Sequence, residues 1–160
     1  PLQSGLVPES WLAIPAGGEG QPGIKGAEAI LSLVPNLEVY TYIICAVGTG
    51  TMLQGLMNAA LPHQQVFGVS SLKGMNGQNI IGNYHFGGYG RYTQELLDSM
   101  NQVYRKNEIP TDFVYTGKMI FAIQDLISKN QFAATDRILA IHSGGLQGNR
   151  SLKKDQLIFL

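Results

Sequence analysis

The stretch "VYTYIICAVGTGTMLQGLMNAA", Val39 to Ala60, restricts what this chain can fold into more than any other. Val39 to Val47 is rich in β-branched and aromatic residues and apolar nearly throughout, the pattern of a strand buried on both faces. Gly48, Thr49, Gly50 and Thr51 then turn the chain, and Met52, Leu53, Leu56 and Met57 follow at helical spacing. "QQVFGVSSL" is a second strand candidate, and "RILAIHSGG", Arg137 to Gly145, a third that ends in glycines. Between them lie helical patterns in "GAEAILSLV", in "TQELLDSMNQVYRKN" (Thr93 to Asn107) and in "GKMIFAIQDLISKN" (Gly117 to Asn130). Strands alternating with helices predict an α/β fold with a largely parallel sheet flanked by helices. In such sheets ligands gather at the carboxyl ends of the strands, where these glycine turns fall.

At 160 residues the chain is one domain of ordinary size or a piece of a larger one. With 44% hydrophobic and 14% charged residues it is not a disordered tail, and no apolar run reaches the ~20 residues of a membrane-spanning helix. The expectation is a soluble globular protein. Eleven basic and eleven acidic side chains cancel and are scattered, which argues against nucleic acid or other polyanions as partners. One cysteine rules out an internal disulfide framework, and the first residues have neither a basic nor a long apolar leader, so a reducing, cytoplasmic setting is expected. The opening "PLQSGLVPESWLAIPAGG" reads as loop leading into a short strand, as though the chain joins a fold already under way.

The glycine turn has a chemistry of its own. A strand followed by Gly-Thr-Gly-Thr and a helix leaves backbone N–H groups open at a helix N-terminus, with glycines permitting close approach and hydroxyls adding donors. That describes an anion site, and phosphate fits it. The Walker pattern is absent for want of its lysine, and the dinucleotide pattern fails because Leu53 stands where the third glycine would. Glycines at such a turn also serve tight packing alone, and the motif by itself does not separate the two roles.

Other positions tip the balance. "IPAGGEGQPGIKGAEAIL", "CAVGTGTMLQGL", "GGYG" around Tyr89, "FVYTGK" around Tyr115 and "IHSGGLQG" around Ser143 together resemble the family of 1-aminocyclopropane-1-carboxylate deaminases and D-cysteine desulfhydrases. The resemblance runs from Ile14 to about Gly148 and lies in order and spacing. Tyr115 follows Tyr89 by 26 positions and Ser143 follows 28 later, the spacing of that family's active-site tyrosines and second glycine loop.

The resemblance implies the tryptophan-synthase-β-like fold (fold type II of the pyridoxal-phosphate enzymes) and pyridoxal 5'-phosphate as cofactor. Gly48, Thr49, Gly50 and Thr51 would cradle its phosphate. Tyr89 and Tyr115 would line the substrate side as catalytic residues, either being a base only if its pKa is depressed by a neighbouring cation or the cofactor. Thr116, Ser143 and Gly144 would lie beside the cofactor ring. In the family the residue after the second tyrosine approaches the pyridine nitrogen, a carboxylate in deaminases and a hydroxyl in desulfhydrases. Thr116 thus points to desulfhydrase-like β-elimination from a small amino acid. The bland alternatives are a turn-flanking Tyr89, a core hydrogen bond for Tyr115 and a helix N-cap at Ser143.

The family's lysine, which forms the Schiff base, lies ahead of all these motifs. Lys25, Lys73, Lys106, Lys118, Lys129, Lys153 and Lys154 match no Schiff-base motif, although Lys118 belongs to the pattern after the second tyrosine. The chain therefore reads as an incomplete fold: residues 1–160 as the carboxy-terminal part of such an enzyme, mostly its cofactor-binding large domain, inactive alone and a homodimer when complete. A non-enzymatic phosphate- or nucleotide-binding module derived from that fold is the other class of reading. His63, His85 and His142 share no metal-ligand spacing, so no metal is assigned; His142 reads as a satisfied group at a buried strand end and Cys45 as a small hydrophobe.

Overall fold

The structure, a computed structural model, describes residues 13–160. The short strand expected at the start falls largely outside them; residues 13–15 are irregular and Ala16–Gly18 form a 3-10 turn. Helix α1 (Gln21–Glu28) leads to β1 (Tyr42–Val47), α2 (Thr51–Ala59) and β2 (Gln65–Ser70). The two-residue strand β3 (Ile80–Ile81), α3 (Gln94–Asn107), α4 (Thr116–Ser128) and β4 (Ile138–Ile141) complete the order, with a closing 3-10 segment at Leu146–Ser151.

The four strands form one sheet in the order β3-β2-β1-β4, and every pairing is parallel. β1 is central, with Tyr42 to Val47 against Gln65 to Ser70 on one side and Tyr42 to Cys45 against Ile138 to Ile141 on the other. Its apolar run follows from this position, because both of its faces are covered. Ile43, Cys45 and Val47 pack with Leu31, Leu53 and Leu56 on the face of α1 and α2. Ile44 lies on the opposite face, where Met119, Ala122 and Ile123 of α4 cover it. A third cluster joins Leu96, Leu97 and Met100 of α3 to Phe113 and Leu157. The α/β class and the parallel sheet flanked by helices are thus as the sequence predicts.

Helix α3 matches its pattern almost residue for residue, since the Thr93 hydroxyl accepts from Leu96 N–H at 3.3 Å and fixes the start. The first helix does not. It begins earlier, with Pro22 in its opening turn, and ends at Glu28; Leu31–Leu33 of the "GAEAILSLV" pattern form a 3-10 turn instead.

Chain direction positions the site. From central β1 the chain moves to β2 on one side, while β4 pairs on the other, so the order reverses between β1 and β4. The glycine turns after both strands open at that reversal, the place where parallel sheets hold ligands.

Candidate active site

A cavity of about 520 Å³ lies at the carboxyl ends of β1 and β4. Gly48, Thr49, Gly50, Tyr89, Tyr115 and Ser143 line it together, along with Ala16, Gly17 and the end of β1. Six residues singled out from sequence, drawn from four separate stretches, are therefore gathered on one hollow of a size that holds a cofactor.

The loop after β1 makes its floor. Gly50 takes φ +93°, a left-handed conformation suited to glycine, and hands the chain to α2 with no side chain capping the helix. The first-turn N–H groups of α2 are thus left without a side-chain acceptor, and the helix dipole favours an anion there. The Thr49 and Thr51 hydroxyls lie 3.0 Å apart; Thr49 is exposed at the cavity, whereas Thr51 is buried behind it. Gly48 allows a close approach, since a Cβ at that position would stand 2.9 Å from the Tyr115 hydroxyl.

The two tyrosines face each other edge to face, with ring centroids 5.9 Å apart. Tyr89 is 63% exposed and Tyr115 half-buried. Burial chiefly, then the Tyr89 phenol and the Asp112 carboxylate, push the Tyr115 pKa above its ordinary value. No cation depresses it, so at neutral pH Tyr115 is a hydrogen-bond donor, not the ready base that a depressed value would give.

Thr116 does not line the cavity. It is fully buried, and its hydroxyl donates to Asp112 Oδ2 at 2.6 Å while accepting from Asp112 N–H at 2.9 Å. The expected hydroxyl at a ring nitrogen is committed elsewhere because Asp112 caps α4. Asp112 Oδ1 accepts from the N–H groups of Val114 (2.9 Å) and Tyr115 (2.7 Å), and Oδ2 from that of Thr116 (2.9 Å). Ser143 remains as the hydroxyl of the second glycine loop, exposed at the cavity, and Gly144 beside it is half-buried with φ +82°. His142 is exposed at the end of β4, not buried as expected, yet satisfied: Nε2 pairs with Pro110 O at 2.9 Å and Nδ1 accepts from Gly144 N–H at 3.1 Å.

Two residues that support the site carried no assigned role in the sequence. Asp112 had a signal, a carboxylate just ahead of a helical run. Lys118 had another, a lone charge in the apolar pattern "GKMIFAI". It is completely buried, and its ammonium donates to the carbonyls of His85 at 2.9 Å and Gly88 at 2.8 Å. Burial lowers its pKa to about 8 against a smaller opposing effect of Asp112. None of the residues lining the cavity is a lysine. Cys45 is buried in β1, its thiol pushed up to about 12 by burial, and is chemically inert at neutral pH. Among the described residues no cluster of three or more His, Cys, Asp or Glu side chains is arranged to hold a metal, and no helix is long and apolar enough to cross a membrane.

No protein-family model matches the chain. A Pyrococcus horikoshii protein named "Putative 1-aminocyclopropane-1-carboxylate deaminase" is 28% identical over 162 aligned positions, covering 84% of this chain and 49% of that protein. A Pyrococcus furiosus protein of the same name is 38% identical over 65 positions, 41% of this chain and 19% of that protein. Among solved structures, a crystal structure of an "ACC deaminase homologue" superposes with a TM-score of 0.69 at 24% identity, over 85% of this chain and 50% of that one. The chain thus spans about half the length of the relatives that it matches along most of its own. By sequence the chain is similar to proteins named putative 1-aminocyclopropane-1-carboxylate deaminase, and it shares the fold of a solved homologue of that enzyme.

Proposed function

We propose that this chain carries the phosphate-binding and tyrosine-bearing half of a pyridoxal-phosphate-dependent lyase or deaminase acting on a small amino acid. The observation that carries the reading is the convergence of Gly48, Thr49, Gly50, Tyr89, Tyr115 and Ser143 on one cavity at the strand-order reversal. The residues fit the group. The uncapped N-terminus of α2 suits a dianion, the absent Gly48 side chain lets the Tyr115 ring pack against the loop, and the hydroxyls of Thr49 and Ser143 add neutral donors. Pyridoxal phosphate, when bound, supplies an electron sink for a carbanion next to an amino group. Gly48 to Thr51 would hold the phosphate, Ser143 would contact the cofactor from the second glycine loop, and Tyr115, with Tyr89 beside it, would offer a protonated phenol to the substrate. This reading takes the covalent lysine from a segment outside these 160 residues, and it is supported by the cavity lining, which holds no lysine among the described residues.

Within the family, the proposed activity is desulfhydrase-like rather than deaminase-like. No carboxylate lines the cavity, and the nearby Asp112 is turned inward by four hydrogen bonds to the α4 terminus. Without a carboxylate to keep its ring nitrogen protonated, the cofactor would be a shallower electron sink, which suits departure of a thiol over opening of a cyclopropane. Three binding titrations test the first part. Pyridoxal phosphate should bind reversibly, pyridoxal without phosphate at least about tenfold more weakly because it lacks the dianion, and borohydride should leave no stoichiometric adduct. Equal binding of the two ligands, or one fully reduced lysine, overturns the reading. Tighter binding of ATP than of pyridoxal phosphate would favour a nucleotide-binding module. In the completed enzyme, a keto-acid assay should run faster on D-cysteine than on 1-aminocyclopropane-1-carboxylate; equal rates contradict the preference.

A further inference from the structure

The loop that carries Tyr89 is built from two consecutive turns. His85 O accepts from Gly88 N–H at 2.9 Å and Gly88 O accepts from Arg91 N–H at 3.1 Å, so that the turns share Gly88 and Tyr89 sits inside the second. Within this span Phe86, Gly87, Gly88 and Gly90 all have positive φ, at +50°, +95°, +120° and +63°. For Phe86 that is a strained conformation, since a bulky side chain on a left-handed backbone costs about 1–3 kcal/mol unless its surroundings impose it. Two contacts impose it here. The Phe86 ring packs edge to face on Phe121 of α4 at 5.0 Å, and the buried Lys118 ammonium reaches the two carbonyls that close the turns, His85 O and Gly88 O.

We infer that Lys118 is the positioning residue for Tyr89, strapping both turns of its loop to the first turn of α4, the helix that also starts at Tyr115. One helix end thereby places both tyrosines: Tyr115 through the Asp112 cap, and Tyr89 through the Lys118 ammonium. The inference rests on the proposed reading only in treating Tyr89 as a site residue. Asp112 is the charged group that acts on Lys118 electrostatically, and among the described residues no acidic side chain bonds its ammonium. A lysine placed for its charge would pair with a carboxylate. This one instead meets two carbonyls, so two of its three N–H donors act as a geometric clamp.

The test needs neither cofactor nor activity, so its failure and the failure of the functional reading are distinguishable. In Lys118→Met the chain should stay folded, with the β1 amides of Ile43 and Ile44 as protected as in the unsubstituted protein. The Gly88 and Arg91 amides should exchange at least about tenfold faster, and the nuclear Overhauser contact between the Tyr89 and Tyr115 rings should vanish. Lys118→Gln, which keeps a shorter donor, should fall between. A folded Lys118→Met with unchanged loop protection and an intact ring contact overturns the inference. Global unfolding of both variants overturns it too, because a strap on one loop must leave β1 standing.

Discussion

A methyl group on Gly48 would meet the Tyr115 hydroxyl at 2.9 Å, and this clearance is where loop, ring and cavity come together. Gly48→Ala should leave the thermal unfolding midpoint nearly unchanged, since its backbone is not left-handed and alanine costs little there. It should weaken pyridoxal-phosphate binding by about tenfold or more as the Tyr115 ring is driven across the cavity. Unchanged affinity would mean that the ligand does not sit over this loop. At the same scale, burial and Tyr89 hold the Tyr115 phenol protonated. An absorbance titration of the phenols, compared with Tyr115→Phe, should assign to Tyr115 an ionisation above the ordinary ~10. A transition below that value would instead make Tyr115 a ready base.

Helix α4 is the element on which the site turns, and its start depends on Asp112. Asp112→Ala removes the acceptor of three backbone N–H groups and the Thr116 hydroxyl in a buried place, and should destabilise the chain by about 2 kcal/mol or more. Urea unfolding checks it, and a loss within error would show that solvent replaces the cap. Lys118 adds a pH dependence of definite sign. Its folded pKa of about 8 lies below its ordinary 10.5, so the unfolded chain binds more protons between those values and stability gains as pH rises through that window. Cys45 and Tyr84, both raised to about 12, act oppositely once pH passes their ordinary 9.0 and 10.0. The gain should therefore show as the difference between the unsubstituted chain and Lys118→Met, growing between pH 8 and 9 and onward; a constant difference contradicts it. What was legible in the sequence at this scale followed burial and capping. β1 and α3 stood out because one is covered on both faces and the other opens on a threonine cap. β3 did not, because two residues leave no alternation to read, and α1 was displaced because apolar spacing outweighed Pro22 as a start signal. The roles of Asp112 and Lys118 were hidden because a cap and a strap are tertiary facts. Each depends on where a side chain ends up, and the composition around Thr116 suggested a ligand contact that the cap pre-empts.

At the scale of the whole molecule, four parallel strands bring two glycine loops to one edge at the reversal of strand order, and four separate stretches of sequence meet there. Tyr89, Ile14 and Leu33 are large apolar or aromatic side chains left largely exposed, at 63%, 78% and 82%. Together with a span of about half the matched relatives, this leads us to expect self-association or a complementary segment; a monodisperse monomer over a wide concentration range in sedimentation would favour a self-sufficient module. The central claim is that the phosphate of pyridoxal phosphate binds at Gly48 to Thr51. Backbone amide chemical-shift mapping during a pyridoxal-phosphate titration tests it most directly. The account predicts saturable, reversible shifts, largest at Gly48, Thr49, Gly50, Thr51 and Met52 and next largest around Ser143, with inorganic phosphate reproducing the first set alone. Largest shifts elsewhere in the chain, or none at the Gly48–Thr51 amides at saturation, would contradict it.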